Sequence, residues 1–141
     1  KYFIKDENDF DIISTDMGYY NKDALITFPL GLGVKIFSTK LLEEVNLKTK
    51  HPTDREHVVN YILKNTEIYK CHNFIAKDLY KRPEIRLTMD YEEDYQLIKK
   101  IYESLYKKNK NFSFSEVIQF LDSNPELKSM NAHCKQKVYK Y

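Results

Sequence analysis

Apolar positions along the first third of the chain recur with the short period of strands. Phe10-Asp11-Ile12-Ile13-Ser14-Thr15 is rich in β-branched residues and bounded by polar breaks, which predicts a buried strand. Turn-forming Gly18 and Asn21-Lys22-Asp23 precede Ala24-Leu25-Ile26-Thr27-Phe28, a second predicted strand stopped by Pro29. After the Gly31-Leu32-Gly33 turn, Val34-Lys35-Ile36-Phe37 alternates as a third. Ser38 or Thr39 then caps a helix that carries Leu41, Leu42 and Val45 and runs to about Leu47.

Helical spacing takes over further on. Thr53-Asp54-Arg55-Glu56 has the form of a capping box, with Pro52 fixing the entry, and predicts a helix over 54–64 that buries Val58, Val59, Ile62 and Leu63. Residues 67–76 read as an irregular strand, and Ile85 to Met89 as a shorter one after Arg82-Pro83. A long helix is predicted to begin at Asp90, with Leu97, Ile98, Ile101, Tyr102 and Leu105 at helical spacing and Lys107 and Lys108 at its C-terminal dipole. Ser113-Phe114-Ser115-Glu116 is another capping box, with Phe112 placed to staple against Val117, and Asn124-Pro125 starts a short final helix. The Lys-rich segment 131–141 is expected to be helical or to pack against a partner. Strands and helices in this mixed order argue an α/β or α+β class.

Composition narrows the function classes. A chain of 141 residues with 42% hydrophobic content buries one ordinary core. Lys+Arg number 23 against 21 Asp+Glu, with the signs interspersed, so no polyanionic partner is indicated and nucleic-acid binding is not expected despite twelve Tyr and eight Phe. No apolar run is long enough for a membrane-spanning helix. Cys71-His72 and His133-Cys134 invite a zinc reading, but paired zinc ligands are normally spaced by two to four residues, and neighbours on a strand point to opposite faces. Two reduced thiols in a cytoplasmic protein are the expectation. With only Gly18, Gly31 and Gly33, no loop is able to wrap phosphates with successive backbone N–H groups. Lys1-Tyr2-Phe3-Ile4-Lys5 lacks an initiator Met and reads as the end of an amphipathic helix already under way, so the chain is expected to begin mid-element.

Candidate chemistry concentrates at Arg86-Leu87-Thr88-Met89-Asp90-Tyr91-Glu92-Glu93-Asp94, where a strand gives way to a helix with four carboxylates within five residues. Ligands of open α/β sheets sit at such carboxyl ends of strands, and oxygen donors suit a divalent cation. Asp90 with Glu93 also fits a capping box, and acidic residues in a first turn are favoured by the helix dipole alone.

Several motifs carry a family resemblance. Leu87-Thr88-Met89-Asp90-Tyr91-Glu92-Glu93-Asp94 resembles the Asp-Thr-Pro-Glu-Asp segment of sugar-acid (acylneuraminate-like) cytidylyltransferases, with Asp90 on the metal-binding Asp. The likeness continues through Gly31 to Ser38, Pro52 with Arg55-Glu56-His57-Val58, Tyr61-Ile62, and Asn131-Ala132-His133 with Lys135-Gln136-Lys137, which together resemble the spore-coat-polysaccharide branch. The chain departs from the pattern at Gly33 and Lys35, where many relatives are acidic, and at Tyr91-Glu92, where Thr-Pro is usual.

The resemblance implies the C-terminal part of a nucleotide-diphospho-sugar-transferase-like mixed sheet over 1–110, with a helical extension over 111–141. It implies transfer of CMP from CTP to a sugar acid with Mg²⁺ as cofactor, Asp90 as its ligand, and Arg55 and His57 in the sugar pocket. Glu56 is expected to act as a cap. The N-terminal half, with its CTP loop, is expected to lie outside this chain, which alone would be inactive. Segment 131–137 is expected to pack on the domain or at a homodimer interface. A non-catalytic, degenerate transferase or protein-interaction module is the rival reading.

Overall fold

Three short strands, Ile12–Ser14 (β1), Lys35–Phe37 (β2) and Cys71–Asn73 (β3), form a sheet of order β2-β1-β3 in the computed structural model, which describes residues 10–20 and 22–136. β1 runs antiparallel to β2, pairing Ile12 with Phe37 and Ser14 with Lys35, and parallel to β3, pairing Ile12 with Cys71 and Ser14 with Asn73. The helices are Thr39–Lys48 (α1), Pro52–Glu56 (α2), Asn60–Lys64 (α3), Glu92–Tyr106 (α4), Phe114–Ser123 (α5) and Pro125–Ser129 (α6). The helical turn expected at Lys1–Lys5 and the end of the Lys-rich tail lie outside the described residues. Among the described residues no helix is long and apolar enough to cross a membrane.

The chain divides into two compact units. The first holds the sheet and α1 to α3. Its core joins Ile12 of β1, Leu41 and Val45 of α1, Ile62 and Leu63 of α3, and Tyr69. α1 begins where the Ser38 hydroxyl accepts from the Leu41 N–H at 3.1 Å, satisfying a helix-end donor.

The single helix expected over 54–64 is two. His51, not Thr53, caps the first, its Nδ1 accepting from the Thr53 N–H at 3.3 Å. The helix stops at His57, with φ −109° and ψ 78°. Asp54 explains the break: one carboxylate oxygen takes the Thr49 hydroxyl at 2.7 Å and the other the amide of fully buried Asn60 at 2.6 Å. These side-chain bonds favour a turn between the two helices, and the β-branched pair Val58-Val59 resists helix least where it sits outside one.

The second unit comprises 27–32 and the chain from Ala76 onward. Here α4 presents Leu97, Ile101 and Leu105 to Val117, Ile118 and Leu121 of α5, with Leu127 of α6 and Ile85 completing the core. Full burial of Ile118 and Leu121 contributes about 2 kcal/mol each. The Ser113 capping box is formed: its hydroxyl accepts from the Glu116 N–H while Glu116 Oε2 accepts from the Ser113 N–H at 2.7 Å.

Two expected strands are not strands. Leu25 is 66% exposed, and the backbone near it is satisfied singly, the Leu25 carbonyl by the Asn73 amide and the Thr27 carbonyl by the Arg82 N–H. At 85–89 only an isolated parallel bridge forms, Leu30 with Arg86, through Leu30 N–H to Ile85 O at 2.9 Å and Leu87 N–H to Leu30 O at 2.7 Å. Gly31 permits it. Its φ is +103°, and a Cβ there would lie 2.6 Å from the Leu87 carbonyl. Gly31→Ala is expected to destabilise the protein by about 2 kcal/mol or more, measured as a lowered urea midpoint at unchanged slope.

Candidate functional site

The acidic corner sits on a buried polar brace. Arg86 and Asp94 are both buried, and the Arg86 guanidinium grips the Asp94 carboxylate at both oxygens, Nε to Oδ1 and Nη2 to Oδ2, each at 2.9 Å. Asp94 Oδ2 also accepts from the backbone N–H of Asp90 and Tyr91 at 3.0 and 3.1 Å. Oδ1 takes the amide of buried Asn131 at 2.7 Å, and that amide also reaches the Arg86 carbonyl at 3.0 Å. Thus α4 starts at Glu92 with Tyr91 as its N-cap, and Asp94 rather than Glu93 satisfies the preceding N–H groups. The Asp90–Glu93 capping box is therefore not the one that forms.

Freed from capping, Asp90 is displayed. Its side chain is 39% exposed, and Oδ2 accepts from Arg86 Nη2 at 2.9 Å and, weakly, from the Thr88 hydroxyl at 3.5 Å. Oδ1 takes no part in these bonds. A single exposed carboxylate oxygen is a donor that Mg²⁺ accepts alongside water and phosphate, so the residue fits the ion, while the neighbouring guanidinium weakens its pull.

Asp94 lies far below the usual carboxylate range. Burial works to raise its pKa, but the bonds from Arg86, from the N–H of Asp90 and Tyr91 and from Asn131 together outweigh it. Arg86 is raised in turn, chiefly by its bonds to Asp94.

Arg55 and His57 belong to the other unit. Exposed Arg55 donates from Nη1 to Asn46 Oδ1, and the two residues line a cavity of about 330 Å³ with Leu42, Thr49, Asp54 and Val58. Arg55 is the cation among the lining residues, beside two carboxylates, Asp54, held by Thr49 and Asn60, and Glu43, so an anionic ligand there would depend on Arg55. His57 is half-buried at the end of α2, its N–H bonded to the Thr53 carbonyl at 2.8 Å, and is not among the cavity-lining residues. Glu56 is exposed, and the helix is capped without it.

Two features escaped the sequence reading. Asp94 was legible in principle, because it lies three residues before Leu97 and seven before Ile101, on the buried stripe of α4, where a carboxylate demands a cation. Asp16 had no local signal. Its carboxylate accepts from the Ser14 hydroxyl at 2.7 Å and pairs with Lys35 at 2.6 Å, across nineteen residues of sequence. A Cβ on Gly33 would collide with that same carboxylate. The two departures at Gly33 and Lys35 thus both accommodate Asp16.

The cysteines differ in setting. Cys71 on β3 has its thiol pushed up to about 11 by burial, with the charge of Asp11 adding to it, while the His72 ring packs at a tilt against Phe10. Cys134 lies in a turn beside His133 and Glu93.

The brace has a measurable signature. Asp94→Asn is expected to cost about 3 kcal/mol by leaving a buried guanidinium with only the partly exposed Asp90 as counter-charge. Because the folded-state pKa of Asp94 is depressed, its contribution is complete above the unfolded value of about 4 and is lost as pH falls below it. Urea unfolding from pH 6 down to about pH 2 is therefore expected to show stability falling in the native protein and a shallower fall in the variant.

No protein-family model matches the chain. An uncharacterized protein of Methanocaldococcus jannaschii is 33% identical over 143 residues, covering 99% of this chain and 52% of that protein. The spore coat polysaccharide biosynthesis protein SpsF of Bacillus subtilis is 29% identical over 103 residues, covering 72% of this chain and 42% of that protein. Among solved structures, a cytidylyltransferase from Leptospira borgpetersenii serovar Hardjo-bovis aligns with a TM-score of 0.75 at 25% identity, covering 99% of this chain and 52% of that one. The chain thus spans about half the length of the relatives it matches. In its mixed α/β fold the chain is similar to a cytidylyltransferase, and in its sequence to a spore-coat-polysaccharide protein.

Proposed function

We propose that this chain forms part of a nucleotidyltransferase that moves CMP from CTP to a sugar acid for surface polysaccharide synthesis. The observation that carries the reading is the likeness, over 99% of the chain, to a cytidylyltransferase. Asp90 adds to it: an exposed carboxylate at a strand-to-helix corner, relieved of capping by Asp94.

In this reading Asp90 holds Mg²⁺ through its free oxygen, and Arg86 fixes the carboxylate by its other oxygen. When bound, the ion supplies charge neutralisation for phosphate oxygens and activation of the sugar hydroxyl. Arg55 pairs with the carboxylate of the sugar acid in the cavity beside α1 and α2, while His57, at the end of α2, lies outside the lining of that cavity. The CTP-binding loop and the remaining metal carboxylate come from an N-terminal half, so the 141-residue chain by itself has no transferase activity.

A second reading is a degenerate, non-catalytic module. The Arg86–Asp90 ion pair favours it, since a metal ion must compete with a guanidinium 2.9 Å away. Pyrophosphate release from CTP and a sialic-type acid separates the two. In the complete protein Asp90→Ala is expected to lower kcat by about a hundredfold or more, and Arg55→Ala to raise KM for the sugar acid about tenfold with CTP unaffected. No turnover by the complete protein, and no Mg²⁺ or CMP binding by calorimetry, would establish the degenerate module instead.

A further inference from the structure

Glu93, His133 and Cys134 converge outside the features used above. His133 Nε2 lies 3.4 Å from Glu93 Oε1 and 4.0 Å from Cys134 Sγ, and the three donor atoms lie within 4.8 Å of one another. A tetrahedral zinc ion, at about 2.0 Å from N and O and about 2.3 Å from S, holds its donors about 3.3 Å apart for N and O and about 3.5 Å apart for either with S. The carboxylate and imidazole are already at that separation. The sulfur needs to close by about 0.5 Å on the imidazole and by up to about 1.3 Å on the carboxylate, within the reach of a side-chain rotamer change.

The turn that carries His133 and Cys134 is held rather than loose. Asn131 anchors its start through Asp94 and the Arg86 carbonyl, and its own carbonyl accepts from the Cys134 N–H at 3.0 Å. Tyr91 pins the far side, its hydroxyl donating to the Lys135 carbonyl at 3.1 Å. Both anchors tie the turn to the first turn of α4, the element that carries Glu93. Neighbouring residues in a turn diverge less than on a strand, so adjacency of His133 and Cys134 is no bar to shared ligation.

We propose that Glu93, His133 and Cys134 form a zinc site, with water in the fourth position. The choice of ion follows from the donors. A thiolate, an imidazole and a carboxylate suit borderline Zn²⁺ and exclude hard Mg²⁺, which separates this site from Asp90. An exposed His133–Glu93 ion pair alone would contribute little and would give the thiol no part. Binding expels the Cys134 thiol proton to solvent, and the proposal stands whether or not the chain belongs to an active transferase.

Cobalt(II) reports on it directly. One equivalent added to the anaerobic protein is expected to give a thiolate-to-cobalt charge-transfer band in the near ultraviolet, abolished by one equivalent of Zn²⁺ and untouched by about a hundredfold excess of Mg²⁺. Cys134→Ser is expected to abolish the band, and His133→Ala and Glu93→Gln each to weaken Zn²⁺ binding at least about tenfold, with circular dichroism unchanged at these surface positions. Cys71→Ser is expected to keep the band. Absence of a band in the native protein, its survival in Cys134→Ser, its loss in Cys71→Ser with circular dichroism unchanged, or Zn²⁺ affinity indifferent to both His133 and Glu93 would overturn the site.

Discussion

A guanidinium and a carboxylate removed from water cost several kcal/mol each unless nearly every hydrogen-bonding position on them is met. The Arg86–Asp94 pair meets that condition from three directions at once: the segment after Ile85, the start of α4, and the turn at Asn131. Each of these segments is short of regular hydrogen bonding by itself. The bridge at Leu30 is a single ladder step, α4 has no side-chain cap from Tyr91, and the turn after α6 is not helical. Satisfying the pair and positioning the three segments are therefore one event, and the display of Asp90, Glu93, His133 and Cys134 at one corner follows from it.

Helices were the legible part of the chain. α1, α5 and α6 begin where Ser38, Ser113 and Asn124-Pro125 predict, because a cap and an apolar stripe are both local signals that agree. The strands came out shorter than their apolar runs. Ala24-Leu25-Ile26-Thr27-Phe28 has strand composition, but Asn73 and Arg82 satisfy the Leu25 and Thr27 carbonyls one by one, and among the described residues no partner strand makes a ladder with it. The break at His57 was illegible for a related reason: its cause is a buried tertiary bond between Asp54 and Asn60, and the Thr53-Glu56 pattern advertises an uninterrupted helix.

The candidate site divides along the same line. The acidic corner was visible as a run of carboxylates, yet which of the four turns inward depends on register against α5, and a cap assigned from spacing went to Asp90 and Glu93 when Asp94 performs it. Arg55 and Asn46 meet through the packing of two helices, which spacing within either helix does not encode. Local patterns thus named the helices and the corner; the partners of each charge were set by long-range contacts.

The Asp16–Lys35 pair bears on how departures from a family pattern are weighed. Counted position by position, a glycine and a lysine where relatives carry acids look like two independent erosions of a binding surface. Here both act on one carboxylate: Gly33, just before the second strand, leaves the room that Asp16 occupies, and Lys35 on that strand is its counter-ion. A coupling of that kind ties the two positions together: an acid at 16 without a lysine at 35 loses its counter-ion, and a side chain at 33 takes the space that the acid needs.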